Sequence, residues 1–309
     1  MIIRHRKITI IGAGYVGSTT AFAPLSARAV NELCLIDVNT ALVRAQVMDL
    51  QHAVPFLGTA VVKVGNYSDI RTSAVVVIAA GANQKPGETR LDLIQKNSAL
   101  MRELGPKVFM MNPEAIVIVV TNPVDVLTYQ LIRMFPGKKR RIIGSGTVLD
   151  SARLRHLVGA HFNIDPTSVH AYICGEHGDS EFPLWSTANI GQVPILSYPG
   201  CTKRTLDQLF MQAKNAAYTI IAGKQATYYA IAAGVTHIVE AIFGDRNEVL
   251  PVSHLLMHYH GVSDVCLSVP AVVGRNGVRT QLSLKFSARE ERLLRQSAAQ
   301  LKRARKGIH

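Results

Sequence analysis

Residues 7–37 constrain the fold more than any other stretch. Lys7-Ile8-Thr9-Ile10-Ile11 is a β-branched run of strand length that leads directly into Gly12-Ala13-Gly14-Tyr15-Val16-Gly17, and small residues suited to a helix follow. A second apolar run, Leu33-Cys34-Leu35-Ile36, stops at Asp37, twenty residues beyond the last glycine. Strand, tight turn, helix and a strand ending in an acid form the pattern of a parallel βαβ unit that holds a dinucleotide. Gly12 permits the turn, Gly14 lets the backbone approach a pyrophosphate and Gly17 allows helix and strand to pack closely. The free N–H groups at the helix start attract phosphate. Asp37 would accept hydrogen bonds from both hydroxyls of an adenosine ribose. The alternative is a glycine-rich turn in an α/β protein that binds nothing.

The rest of the first half continues the alternation. Strands are predicted at 7–11, 33–37, 60–64, 74–80, 115–121 and 141–145, with helices at about 15–29, 40–53, 89–110 and 124–135. Two βαβαβ halves in this order predict a Rossmann doubly wound parallel sheet, ordered 3-2-1-4-5-6, with ligands across the carboxyl ends of its strands. A change of pattern near Ser145 divides the 309 residues into a dinucleotide-binding domain, 1–145, and a C-terminal α+β substrate domain, 146–309. In the second part we expect a helix from Leu149 to Phe162, a strand-and-turn region, one long helical run from Thr205 to Ile242, and several strands. Pro24 lies inside the first predicted helix, where its ring and missing N–H should bend it or break one hydrogen bond.

Several functional classes are disfavoured. The apolar stretches Ala74 to Ala82 and Ala115 to Val120 are far short of the roughly 20 residues of a membrane span. No apolar leader with a small-residue cleavage site precedes the glycine loop. Cys34, Cys174, Cys201 and Cys266 lack CxxC spacing, so reduced thiols in a cytoplasm are expected. The formal net charge is +13, and the stretch from Arg275 onward carries ten Lys or Arg against Glu290 and Glu291. Phe286 to Arg295, continuing to Lys306, reads as an amphipathic helix with a solvated basic face. A polyanion patch is the sharper reading, but no aromatic platform or nucleic-acid motif accompanies it. Among His254, His258 and His260, the first two are spaced as metal ligands on a helix could be, yet HExxH and cysteine pairs are lacking, and no metal is expected.

Gly175-Glu176-His177-Gly178-Asp179 then places an imidazole downstream of the dinucleotide loop. A group with an unperturbed pKa of about 6.5 can take a proton from an alcohol and return it near neutral pH, so the pairing suggests a dehydrogenase. Together GAGYVG, Asp37, GANQKPGETRLDL (81–93), TNPVD (121–125), LDSARLR (149–155), GEHGD (175–179) and KQATYYAIA (224–232) closely resemble the lactate/malate dehydrogenase family, and within it the bacterial L-lactate dehydrogenases. The likeness runs from Lys7 to Arg279. It implies a cytoplasmic NAD-linked enzyme of fermentative glycolysis that interconverts pyruvate and L-lactate, usually as a homotetramer.

The resemblance also assigns residues. Cofactor contacts fall on Gly12, Gly14, Val16, Gly17, Asp37, Gly81, Ala82 and Asn122. His177 is the acid/base and Asp150 accepts its other ring N–H, although Asp150 could equally cap a helix. Arg153, one helical turn on, matches the substrate-carboxylate clamp, and its planar fork can bind both oxygens; an ordinary ion pair is the alternative. Residues 84–90 match a mobile lid that brings Arg90 to the carbonyl oxygen, where an ordinary solvated loop is the bland reading. Gln84 stands where the malate dehydrogenases carry an arginine, which favours pyruvate's methyl over a second carboxylate. Asn122 would bond the substrate oxygen or order the nicotinamide, and Thr227 would help wall the pocket; either could be structural. Arg155 and His170 match the basic pair that binds the activator fructose 1,6-bisphosphate at a subunit interface, against a solvated Arg and a packed His. A malate or broader L-2-hydroxy-acid dehydrogenase is the nearest competing reading, which Gln84 opposes. A non-catalytic NAD(H)-sensing or polyanion-binding protein is the competitor from another class.

Overall fold

The computed structural model describes residues 5–82 and 90–307. Its centre is one sheet built from Val, Ile and Leu runs whose alternate side chains point to opposite faces. The first half supplies β1 (Lys7–Ile11), α1 (Tyr15–Ser26), β2 (Glu32–Ile36), α2 (Thr40–Leu57), β3 (Val61–Val64), β4 (Val75–Ile78), α3 (Arg90–Met111), β5 (Ile116–Val119), α4 (Val124–Met134) and β6 (Ile142–Gly144). The six strands lie parallel in the order β3-β2-β1-β4-β5-β6, as the alternation predicts. Ile8, Ile10, Leu33, Leu35, Val75 and Val77 face one apolar layer with residues of α1 and α2. Val76, Ile78, Val117 and Val119 face the other, against Met101, Leu104 and Leu127 of α3 and α4. Full burial of each such side chain stabilises by about 1.5–3 kcal/mol, so the alternation itself holds both helical layers in place.

The second half comprises α5 (Val148–Phe162), β7 (Val169–His170), β8 (Ile173–Cys174), β9 (Phe182–Pro183), β10 (Asn189–Ile190), β11 (Val193–Pro194), α6 (Lys203–Lys224), α7 (Tyr229–Phe243), β12 (Glu248–Leu250), β13 (Ser253–Leu256), β14 (Val265–Ser268), β15 (Ala271–Gly274), β16 (Gly277–Gln281) and α8 (Ala288–Ala304). Parts of it complete the first layer system. β13 joins β6 antiparallel through Ser253 and Gly144, and β14 pairs antiparallel with β13, so the sheet has eight strands. α7 packs against α1 and buries Val235, Ile238, Val239 and Ile242 in the same apolar layer as β1 and β2. The sheet therefore continues across the expected boundary at residue 145.

Two local expectations change, and Pro24 takes a definite place. The helical run 205–242 is broken: Gln225 takes a left-handed conformation (φ 71°), and α7 starts afresh at Tyr229. Contacts at the break hold it there, since Tyr228 stacks on Tyr15 with ring centroids 5.6 Å apart and the Lys224 ammonium lies 3.3 Å from the Tyr228 ring centre. His254 lies in β13, whereas His258 and His260 follow in a turn at positive φ, so they do not share a helix face. His254 turns Nδ1 to the Val252 carbonyl, and His260 bridges Glu291 and the Leu284 carbonyl. Pro24 lies in the last turn of α1, where it has no N–H to donate, and the helix ends at Ser26 before Arg28 turns left-handed (φ 53°). Among the described residues, no helix is long and apolar enough to cross a membrane.

Candidate active site

The sheet's carboxyl ends carry the glycine loop. Gly12 sits at φ 108°, and a Cβ there would meet the Ala80 nitrogen at 2.5 Å. A Cβ on Gly17 would run into the Gly12 carbonyl oxygen. These two positions let α1 begin directly against β1. Gly14, by contrast, has nothing within 4 Å of where its Cβ would be, and α1 starts there without a side-chain cap, so its first-turn amides face an open groove. Asp37 ends β2 beside this groove. Its Oδ2 accepts the Ala13 N–H at 2.6 Å and its Oδ1 accepts the Asn39 N–H at 2.8 Å, which fixes the carboxylate while each oxygen keeps a second lone pair. Open space at Gly14, free helix-start donors and an oriented acid fit the pyrophosphate and ribose of a dinucleotide.

At the other side of the groove, Asn97 of α3 binds the ends of two strands together. Its Oδ1 accepts the Ala82 N–H at 2.8 Å, and its Nδ2 donates to the Asn122 carbonyl at 2.7 Å. Gly81 is held against Thr121, whose hydroxyl donates to the Ala80 carbonyl at 2.6 Å. Gly81, Ala82 and Asn122 are thus assembled on one edge, with Val16 and the glycine loop on the neighbouring strand end. Asn97 was not anticipated from sequence, since an Asn inside a helix carries no local signal of what it reaches.

The expected acid/base, His177, is held from α5. Thr147 and Ser151 tie this helix to the strand leading into the GEHGD turn, through the Thr147 hydroxyl to the Ile173 carbonyl at 2.5 Å and the Ile173 N–H to the Ser151 hydroxyl at 2.9 Å. Asp150 is buried and uses both oxygens: Oδ2 lies 2.5 Å from His177 Nδ1, and Oδ1 accepts from Arg153 Nη1 at 2.8 Å. A carboxylate can only accept, so Nδ1 carries the proton and Nε2 is left for a substrate. Burial pulls the His177 pKa down, but 26% of the side chain stays open and the charge and hydrogen bond of Asp150 outweigh it, lifting the pKa to about 9. Burial likewise pushes Asp150 up, and His177 with Arg153 holds it below the usual carboxylate range instead. An imidazolium–carboxylate pair is therefore the resting state at neutral pH, poised to donate a proton.

The surroundings clamp this pair. Asp125 of α4, fully buried, accepts the His177 backbone N–H at 2.7 Å, and burial pushes its own pKa up to about 6. Ser297 of α8 accepts the Glu176 N–H at 2.7 Å and lies 3.0 Å from the Ser180 hydroxyl. The C-terminal helix, expected as amphipathic with a solvated basic face, buries Leu294, Ser297, Ala298 and Leu301 and supports the GEHGD turn. Its N-terminus is fixed by a capping box between Ser287 and Glu290. Glu181, also unanticipated, lies beside the pair: Asp150, His177 and Glu181 present ligand-type atoms within 4.8 Å of one another.

The remaining expected residues are placed less closely. Thr227 lies in the break between α6 and α7. Gln84 lies outside the described residues, and Arg90 is described only as the start of α3. Arg155 extends along α5, with Nε donating to the Ser151 carbonyl at 3.4 Å, and His170 is exposed on β7, which packs on that helix.

Comparison with known proteins agrees with this geometry. Residues 6–144 match the lactate/malate dehydrogenase NAD binding domain, and residues 147–308 match the lactate/malate dehydrogenase alpha/beta C-terminal domain. The chain is 45% identical over 302 residues to the L-lactate dehydrogenase of Acetivibrio thermocellus, covering 96% of this chain and 95% of that one. It is 44% identical over 304 residues to L-lactate dehydrogenase 1 of Clostridium acetobutylicum, covering 97% of each. Among solved structures, the minor L-lactate dehydrogenase of Enterococcus mundtii superposes with a TM-score of 0.96 at 37% identity over 99% of both chains. A lactate dehydrogenase from a Medee basin deep-sea metagenome library superposes with a TM-score of 0.95, also at 37% identity and 99% coverage.

Proposed function

The chain belongs to the lactate/malate dehydrogenase family, and from that membership we propose that it is an NAD-dependent L-lactate dehydrogenase, interconverting pyruvate and L-lactate in cytoplasmic fermentative glycolysis. The observation that carries this reading is the buried Asp150 carboxylate, which holds His177 with one oxygen and Arg153 with the other. A proton donor and a carboxylate-binding fork are thereby presented together, and a 2-oxo acid requires both. NADH, held by the glycine loop and Asp37, would supply the hydride.

The chain's own residues do the rest. Arg153 pairs with the substrate carboxylate and orients the ketone. His177 gives its proton to the carbonyl oxygen as negative charge develops there, and Asp150 keeps the imidazolium available. Arg90, by resemblance, adds positive charge at that oxygen. Gln84, also by resemblance, faces the substrate's variable group, where a neutral amide suits a methyl and gives a second carboxylate no partner.

A matrix of NADH and NADPH against pyruvate and oxaloacetate tests the reading. Pyruvate with NADH should give the highest kcat/KM. NADPH should be at least about tenfold poorer, roughly 1.4 kcal/mol, because Asp37 puts a negative charge where the 2′-phosphate would lie. Oxaloacetate reduced as well as pyruvate would make the chain a malate or broader 2-hydroxy-acid dehydrogenase. Tight NADH binding without turnover of any 2-oxo acid would leave a sensing protein.

The family resemblance further supports a homotetramer activated by fructose 1,6-bisphosphate. Arg155 and the exposed His170 supply two phosphate-binding side chains on adjoining elements, and a symmetry mate would supply the same pair across a two-fold axis. Millimolar bisphosphate should lower the KM for pyruvate by roughly 5–150-fold, a coupling of about 1–3 kcal/mol. Unchanged saturation curves, or an undiminished response with both residues replaced, would remove the regulatory part alone.

A further inference from the structure

Beyond the groups already given roles, one ionisable side chain stands against the proton-transfer pair. Glu181 follows the GEHGD turn, which folds back on itself through the Glu181 N–H to the Gly178 carbonyl at 3.1 Å. This return brings the Glu181 carboxyl to within 4.8 Å of the ligand-type atoms of Asp150 and His177. Only 7% of the residue is exposed. Burial disfavours its charged form, and a second carboxylate beside Asp150 adds like-charge repulsion.

We propose that Glu181 is a positioning residue for proton transfer: the charge state of its carboxyl sets how tightly His177 keeps its proton. The inference rests on the dehydrogenase reading and adds a third carboxyl to its acid–base machinery. The charged groups facing Glu181 are Asp150 and Arg153 from α5, His177 from its own turn and Lys214 from α6. Asp125 of α4 acts on the same imidazole. On its far side Glu181 lines a cavity of about 400 Å³ between α6 and α8, together with Lys203, Asp207, Arg289 and Glu290.

The signs follow from these neighbours. Burial and then the Asp150 charge raise the Glu181 pKa to about 8, against the opposing pull of His177, Lys214 and Arg153. Below that pH Glu181 is neutral, and His177 answers chiefly to Asp150. As pH rises Glu181 loses its proton to solvent, and its new negative charge favours the imidazolium, so His177 releases its own proton later than it otherwise would. Pyruvate reduction, which needs the imidazolium, therefore persists to higher pH. Lactate oxidation, which needs the neutral ring, sets in at higher pH.

Glu181→Gln keeps the shape and removes the titration. The ratio of variant to wild-type kcat/KM for pyruvate should fall about tenfold between about pH 6 and pH 10, as expected for a downward shift of roughly one unit in the alkaline limb. The acid limb of lactate oxidation should shift downward by a similar amount. A merely structural role would lower both rates by one factor at every pH, and a constant ratio overturns the proposal. A second readout is independent of turnover: the His177 Cε1 proton resonance, assigned by its loss in His177→Asn. In the wild-type protein it should show an inflection near pH 8, distinct from those of His177 and Asp125, that is absent from Glu181→Gln. Absence of the inflection near pH 8 from the wild type overturns the proposal even if the variant does not fold. Failure to reduce pyruvate would sink the parent reading and leave the resonance test standing.

Discussion

Asp150→Asn is expected to lower kcat/KM for pyruvate by roughly 10²–10⁴-fold, the scale of losing a positioned proton donor. The buried carboxylate faces two donors, His177 Nδ1 at 2.5 Å and Arg153 Nη1 at 2.8 Å. An amide has one accepting oxygen and one donating nitrogen, so in either orientation an N–H opposes a donor. If the amide nitrogen faces His177, the ring must present an unprotonated Nδ1, and the charged form loses its counter-ion. If it faces Arg153, the guanidinium loses its anchor and the substrate carboxylate meets a looser clamp. The His177 pKa, held at about 9 largely by Asp150 against the cost of burial, should fall, and the alkaline limb of pyruvate reduction should fall with it. Steady-state kinetics across pH would check both parts. A variant retaining wild-type kcat/KM and an unmoved alkaline limb would remove Asp150 from the mechanism.

The second large effect is at the glycine loop, where two positions six residues or fewer from β1 should behave oppositely. A Cβ at Gly17 overlaps the carbonyl oxygen of Gly12 and comes within 2.7 Å of its carbon. Gly12 cannot give way: its N–H donates to the Ile36 carbonyl at 2.7 Å, and the Ala80 backbone lies against its other side. Gly17→Val must therefore push α1 away from β1, and we expect a loss of about 3 kcal/mol in unfolding free energy together with loss of NADH binding. Gly14→Ala meets open space at an ordinary φ of −68°. It should leave the unfolding midpoint nearly unchanged while weakening NADH, because its methyl would occupy the groove the pyrophosphate needs. Denaturant unfolding and NADH fluorescence titration on the two variants separate the effects. Equal stabilities would contradict the close-packing argument at Gly17, and unaltered NADH affinity in Gly14→Ala would contradict the placement of the pyrophosphate.

Much of the fold was legible because its signals are local. The β-branched runs mark the six parallel strands, and the glycine spacing with Asp37 marks the turn between β1 and α1. Arg153 stands three residues after Asp150, so a helix alone brings them together. Other features depend on partners distant in the chain. β13 and β14 complete the sheet only because Ser253 meets Gly144, more than one hundred positions earlier. The break after Lys224 reflects the stacking of Tyr228 on Tyr15, which no helical periodicity within 205–242 could disclose.

The same division holds at the site. His177 and Asp37 were readable from the chemistry of their short motifs, while Asp150 and Arg153 were singled out by the family resemblance. Asp125, Asn97, Ser297 and Glu181 were not, because an ordinary polar residue becomes a clamp or a tuned acid only through what it is buried beside. Sequence alone determined the strand order and the glycine turn and pointed to the candidate reactive groups, because hydrophobic periodicity and backbone sterics act over a few residues. Tertiary structure alone decided the charge states of those groups, because desolvation and Coulomb interaction depend on distances between side chains that the chain brings together only on folding.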